Sequence, residues 1–288
     1  VGGISPATGS GTGNISEALS SSNATPTVVT YVVVSTANGC SNTGENVTVT
    51  VQPVPVVNVV SNQTLCNGAS TTAVSFSGVA TQYNWTNDTP SIGLAASGVG
   101  NIPSFTSLNP TTNPVTATIT ITPVYNGCTG TTTTFTITVN PTPVLTSTLT
   151  PSAICSGTSF SYTPTSATGG TTYAWTRASV VGISQAAGSG TGVINETLTN
   201  TTVLPLSVVY NIVSTANGCS NGGQNVVVTV YPTPLLSSTL TATAICSGAT
   251  FGYTPTSATT GTTFAWTRAA VGGISPATGS GTGNISEA

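Results

Sequence analysis

Apolar and polar positions alternate along this chain in short runs. Asn46–Val51 reads NVTVTV, Phe135–Val139 reads FTITV and Asn225–Val230 reads NVVVTV. A period of two puts alternate side chains on one face of an extended strand, so each run predicts a half-buried β-strand. Similar runs lie near Val144–Leu149, Phe160–Tyr162, Tyr173–Trp175, Val193–Leu198 and Ser207–Val213. Gly-, Asn- and Pro-rich turns separate them at intervals of about 8–12 residues, the spacing of an all-β sandwich. The GSGTG segments at Gly9–Gly13, Gly188–Gly192 and Gly279–Gly283 are predicted as turns, because glycine supplies the positive φ that turns need. A phosphate-cradling loop would need Gly-Lys-Ser/Thr opening a helix; the chain has no lysine and no helical period.

A larger periodicity encloses these runs. Val271–Ala288 is identical to Val1–Ala18, so the pattern returns after 270 residues. Pro-x-Pro follows three of the alternating runs, at Pro53–Pro55, Pro141–Pro143 and Pro232–Pro234, spaced by 88 and 91 residues. Each long period thus holds three repeats of about 90 residues, joined by stiff proline linkers. The expected division is the C-terminal part of a repeat at 1–52, complete repeats at 56–142 and 145–233, and the N-terminal part of a repeat at 236–288. The pattern of 19–52, one period on, completes 236–288. The chain is therefore read as a window on a longer tandem array, with Val1 lying mid-protein.

Cysteine spacing follows the same register. Cys66 to Cys128 is 62 residues and Cys155 to Cys219 is 64; Cys40, advanced by one period, lies 64 beyond Cys246. The expectation is two disulfides, Cys66–Cys128 and Cys155–Cys219, with Cys40 and Cys246 paired outside the window. Loops of this length would contribute about 3–5 kcal/mol each, and disulfides imply an oxidising compartment. Metal binding would need local clusters such as C-x-x-C, which are absent. Trp85, Trp175 and Trp266 follow their cysteines by 19, 20 and 20 residues. That is the Cys…Trp…Cys order of immunoglobulin-like domains, whose tryptophan fills the core between two sheets. Cys40, Cys128 and Cys219 each follow Asn-Gly, a hairpin-turn signal. The bridge is accordingly expected to tie a hairpin to the front of the repeat at one pole.

Charge removes whole classes of function. The chain has two basic residues, five acidic ones, no histidine and a net charge of −3. Nucleic-acid binding and attraction to anionic membranes need clustered Lys or Arg. No apolar run approaches the roughly 20 residues that span a bilayer. The acids Glu17, Glu45, Asp88, Glu196 and Glu287 are spread so that each complete repeat has one, whereas general acid–base hydrolysis uses two facing carboxylates. Calcium wants several carboxylates together, and without histidine no Ser-His-Asp arrangement is possible. No catalytic, cofactor-binding or metal-ligating residue is expected, and the chain is not read as an enzyme. Arg177 with Glu196, and Arg268 with Glu287, share a separation of 19. They are either ion pairs or independent solvated side chains. The second reading is preferred, since exposed pairs contribute only about 0–1 kcal/mol. Tyr83, Tyr173 and Phe264, two before the tryptophans, are expected in the core rather than on a sugar-binding face. Asn-x-Ser/Thr sequons, such as Asn62, Asn84 and Asn195, are expected by chance in so Asn- and Thr-rich a chain.

YNWTND (Tyr83–Asp88), PSIGLAASGVGNIPSFT (Pro90–Thr106), PVTATITITPVYNGC (Pro114–Cys128) and FTITVNPTP (Phe135–Pro143) resemble the PKD-like repeats of giant Bacteroidota surface proteins. AICSG…AWTR and STANGCSN resemble a neighbouring, immunoglobulin-like repeat type of the same proteins. The WDFGDG core of ordinary PKD domains is missing, since Trp85 is followed by Thr86-Asn87-Asp88. The resemblance implies tandem sandwiches strung head to tail in an extended fibre. It implies the stalk or filament region of a cell-surface, gliding-motility adhesin of the SprB-like kind, exported by type IX secretion. Its partners would be neighbouring repeats of the same chain and a surface polysaccharide or substratum, with no nucleic acid and no membrane insertion. Two alternatives stand beside it: an array of polysaccharide-binding modules, and a self-assembling extracellular polymer joined by strand donation.

Overall fold

The computed structural model describes residues 2–287; Val1 and Ala288, the outermost positions of the expected terminal repeats, lie outside the described residues. The chain divides into two compact units, 1–142 and 143–288. Both are built of β-strands, and the helical content of the described residues is a single 3-10 turn at Pro90–Ile92.

The complete repeat of the second unit has one large sheet. Its strands run in the order Ile154–Cys155, Gln224–Tyr231, Leu206–Ala216, Thr172–Arg177, Gly188–Thr191, with Cys219–Ser220 folding back on the long strand. The first strand pairs parallel to Gln224–Tyr231, and the other neighbours are antiparallel. A second, two-stranded sheet joins Thr158–Tyr162 to Ile194–Leu198. Phe160, Tyr162, Ile194 and Leu198 from that pair share one core with Trp175, Val208, Tyr210, Ile212, Val226 and Val228. These are the apolar phases of the alternating runs, and burying them closes the sandwich. The expected strand at Val144–Leu149 does not form. Pro143 and Pro151 flank it, and proline has no N–H to give a ladder. Leu145 is nevertheless buried, and the Val227 N–H donates to the Leu149 carbonyl.

The complete repeat of the first unit follows the same order: Gln63–Cys66, Thr133–Asn140, Val115–Tyr125, Gln82–Asn87, Ser97–Val99, with Cys128–Thr129 folded back on the long strand. Gln63–Cys66 again runs parallel to the last strand. Opposite this sheet, isolated bridges join Ser70 to Thr106 and Val74 to Ile102. All three Asn-Gly turns take the twisted form that a two-residue hairpin requires, with φ of 50°, 44° and 51° at Asn38, Asn126 and Asn217.

The glycine-rich segments correct the sequence reading. Gly188–Thr191 and Gly279–Thr282 are edge strands, not turns, each paired to the strand that carries the tryptophan. The reason for glycine is space. A Cβ on Gly190 would sit 2.7 Å from Cζ2 of Trp175, one on Gly281 would sit 2.9 Å from Cζ2 of Trp266, and one on Gly98 would overlap Trp85. The indole lies flat against bare backbone, so a side chain there is excluded. Positive φ falls on the glycines that follow these strands, Gly100, Gly192 and Gly283, and on Gly13. Gly9–Gly13 lies outside any strand.

The segments on either side, 2–52 and 236–287, form pieces of the same plan. Thr27–Val33 pairs with Glu45–Val51, in the manner of Leu206–Ala216 with Gln224–Tyr231. Phe251–Tyr253 pairs with Ile285–Glu287, and Ala265–Arg268 with Gly279–Thr282.

Candidate functional site

The two charged side chains of repeat 145–233 meet between its sheets. Tyr173, Trp175 and Arg177 share one phase of their strand, so the phase that buries the tryptophan also carries the guanidinium inward. Ile194, Glu196 and Leu198 do the same on the facing sheet, and Val208, Tyr210 and Ile212 on the long strand. The three polar groups meet. Arg177 Nε donates to Glu196 Oε2 at 2.8 Å and Nη2 to Oε1 at 3.2 Å. Nη2 also donates to the Ala186 carbonyl at 2.7 Å. The Tyr210 hydroxyl donates to Glu196 Oε2 at 2.6 Å. The Tyr210 ring packs between Phe160 and Trp175, with centroids 5.3 and 5.7 Å away.

This node overturns the preferred reading of two solvated side chains, because the Arg177 side chain is only 1% exposed and that of Glu196 19%. Its protonation follows from its packing. Burial pushes the Glu196 carboxyl up, but hydrogen bonds from Arg177 and Tyr210 outweigh it and hold the group below its ordinary value. The Glu196 hydrogen bond raises Arg177 against the opposing effect of burial. Burial first, then the bond to Glu196, raises Tyr210 far above an ordinary phenol. Parts of the node recur. Arg268 Nε lies 2.8 Å from Glu287 Oε2, and the Tyr31 hydroxyl donates to Glu17 Oε2 at 2.8 Å. In repeat 56–142 the cross-strand pair at this place is Asn87 and Ile119 instead of Arg177 and Tyr210. Asn87 Nδ2 there donates to the Leu94 carbonyl.

A second constellation escaped the sequence reading. Asn200 is buried, with Nδ2 donating to the Leu204 and Val230 carbonyls at 2.8 and 2.9 Å. Its Oδ1 accepts from the Thr202 N–H and hydroxyl. Asn109 is buried in the same way, bonding the Asn113 and Val139 carbonyls and Thr111. The shared string Asn-x-Thr-x-x-Pro, at Asn109–Pro114 and Asn200–Pro205, was the available signal.

The expected disulfides Cys66–Cys128 and Cys155–Cys219 are not formed. Cys66 and Cys219 are disulfide-bonded, whereas Cys128 and Cys155, like Cys40 and Cys246, carry free, exposed thiols. Register explains the failure. Cys66 is level with Asn140, at the end of the sheet where Val115 meets Val139, while Cys128 pairs with Tyr125 at the other end of the same strand. Ten residue steps of strand separate those ends, about 33 Å. Disulfide Cα atoms lie about 4–7 Å apart. Cys155, level with Tyr231, and Cys219, paired with Ala216, are separated likewise by the strand from Leu206 to Ala216.

Trp85 and Trp175 are buried, and Trp266 is half-buried. Tyr83 and Tyr173 pack half-buried against the cores, and burial raises both phenols. Phe264 is half-buried as well. Asp88 is exposed and holds the Thr118 N–H at 2.8 Å, which lowers its carboxyl. The sequon side chains of Asn62, Asn84 and Asn195 accept hydrogen bonds from the Thr136 N–H, Gln82 and Ser159. Among the described residues no three His, Cys, Asp or Glu side chains gather as metal ligands would.

This geometry agrees with the family comparison. Residues 152–234 match the PKD-like domain. The match falls on the repeat whose wording resembled the neighbouring repeat type. The described residues form an all-β array of sandwich repeats, of which 152–234 is similar to the PKD-like domain. Similar solved structures include titin domains I67–I69, at 13% identity and a TM-score of 0.37, covering 74% of this chain and 78% of that one. Sidekick-1 immunoglobulin domains 1–5 match at 12% identity and 0.34, covering 94% and 70%. The insect immune protein hemolin matches at 12% and 0.34, covering 71% and 56%. No curated protein sequence matches the chain. A disulfide and such repeats suit an extracellular or surface protein. No helix of the described residues is long and apolar enough to cross a membrane.

Proposed function

We propose that this chain is a stretch of the stalk of a cell-surface adhesin, a non-catalytic spacer built from identical plans. The observation that carries the reading is the recurrence of one internal architecture: the same strand order, the same glycine seat under the tryptophan and the same asparagine knot in both complete repeats. Arg177 and Glu196, the charged side chains of repeat 145–233, are consumed inside its sandwich. Such repeats contribute length and resistance to unfolding. Gliding adhesion, type IX export and a polysaccharide target belong to this proposal as its biological setting, supported by the resemblance of the repeat wording. Stretching one molecule tests the reading. The complete repeats should unfold one at a time at high force, each releasing about 250 Å of chain, the contour of some 86 residues less the folded length. Unfolding at negligible force, or glycan capture by a single repeat, would defeat it.

One observation favours strand donation as a second reading. Val47 and Val49 are 51% and 42% exposed in the partial repeat, while their counterparts Val226 and Val228 are fully buried. The segment that would cover them has the pattern of 236–287. A mass above that of one chain under native conditions, lost when residues 236–288 are deleted, is the expected sign of such donation.

A further inference from the structure

Tension along the chain meets each complete repeat at one edge of its large sheet. The chain leaves repeat 145–233 from the end of Gln224–Tyr231, into Pro232–Pro234. The edge strand beside that end, Ile154–Cys155, runs parallel to it, with Ile154 level with Val230. A pull on the two ends of the repeat therefore draws these strands in opposite directions and loads the bonds between them together. That ladder is short: two residue pairs, extended by the Ser156 N–H, which donates to the Tyr231 carbonyl at 2.8 Å. In repeat 56–142 Gln63–Cys66 lies against Ile137–Asn140 in the same way, and the Asn67 N–H donates to the Asn140 carbonyl at 2.8 Å.

The asparagine knot stands at the same place. Val230, whose carbonyl accepts from Asn200 Nδ2, is level with Ile154 on one side and Leu206 on the other. The same Nδ2 donates to the Leu204 carbonyl, separated only by Pro205 from the long strand Leu206–Ala216. One amide thus ties the leaving strand to the root of the longest strand in the sheet. Ser156 completes the tie to the first strand: its hydroxyl accepts from the Asn200 N–H at 2.9 Å and donates to the Asn200 carbonyl at 3.2 Å. In repeat 56–142 Asn109 Nδ2 bonds the Val139 and Asn113 carbonyls, and the Asn109 N–H donates to Asn67 Oδ1 at 2.8 Å. Elsewhere the two repeats differ. The pair Arg177 and Tyr210 is replaced by Asn87 and Ile119, and the two-stranded facing sheet by isolated bridges. The knot persists through both changes, so it serves what the repeats share, the point where load leaves them. Both asparagines are buried, so water does not compete for their bonds as these are stretched.

We infer that Asn109 and Asn200 are mechanical latches, one side chain in each complete repeat that holds the leaving strand in the sheet under load. The inference rests on the load-bearing reading above and gives that resistance an address. While the amide holds, the closing strand cannot slide past the first strand without carrying the long central strand with it. Once it lets go, only the short parallel ladder opposes the pull at that edge.

Stretching the whole chain by its ends tests it, under a reductant so that tension runs along the full backbone. Asn200→Ala should make one of the two high-force events about tenfold faster at constant load, the effect of about one lost buried hydrogen bond, and leave the other unchanged. Asn109→Ala should move the other event. Gly190→Ala, which crowds Trp175 in the core, should lower the urea midpoint and move neither event. Ser156→Ala cuts the loop from the first strand but spares the Asn200 amide, so it should speed the same event as Asn200→Ala and carries the test where that variant fails to fold. An N200A or S156A chain as slow to unfold under load as the unaltered one, or a G190A chain as fast as N200A, overturns the latch and leaves the stalk reading standing. Negligible resistance in the unaltered chain defeats the stalk reading first, and the latch with it.

Discussion

At the scale of the residue, Arg177, Glu196 and Tyr210 show how a chain nearly free of charge uses the little it has. A buried ion pair is costly to desolvate and costlier to break. Glu196→Gln leaves Arg177 buried without its counter-charge, so it should destabilise its repeat by about 3 kcal/mol, on the order of 15 °C in a thermal melt. The pH profile follows from the shifts. Glu196 is held below its ordinary value in the fold, so its contribution is present above the unfolded carboxyl near pH 4.3 and is lost as pH falls through the lower folded value. Tyr210 is raised, so its contribution is present below an ordinary phenol near pH 10 and is lost as pH rises beyond it. Denaturation across pH 2–11 should show two limbs of falling stability, and E196Q should flatten the acid one.

At the scale of the element, alternation made most strands legible. Glu45–Val51, Thr133–Asn140 and Gln224–Tyr231 lie where the runs predicted them. The node was legible too, had phase been weighed above residue type: Arg177 and Glu196 sit in the apolar phase of their strands. What defeated the reading was pairing between strands. The disulfide expectation needed the first strand to end beside the hairpin, but its parallel register with the last strand sends it to the other pole. Gly-Ser-Gly-Thr looked like a turn because composition cannot distinguish a glycine needed for φ from one needed for closeness. That distinction can be measured. Gly190→Ala should cost about 1–3 kcal/mol by crowding Trp175, with the loss recovered in part by pairing it with Trp175→Phe. The asparagine knot fastens a loop to the closing strand. Asn200→Ala strands buried carbonyls of Leu204 and Val230 and should cost about 2–3 kcal/mol, read from urea midpoints.

At the scale of the whole molecule, the stability of a repeat lies in its packing and its buried polar bonds, since no disulfide closes either complete repeat on itself. Treatment with a reductant should therefore leave far-UV circular dichroism and the melting of each sandwich unchanged. A core bridge worth about 3–5 kcal/mol would instead shift that melting by tens of degrees.

The arginine in the node has one more consequence. The chain offers a trypsin-like protease two basic residues, Arg177 and Arg268, and both are engaged by a glutamate. Cleavage after the buried Arg177 has to wait until its bead opens, and that nick becomes a clock for how often the single bead breathes.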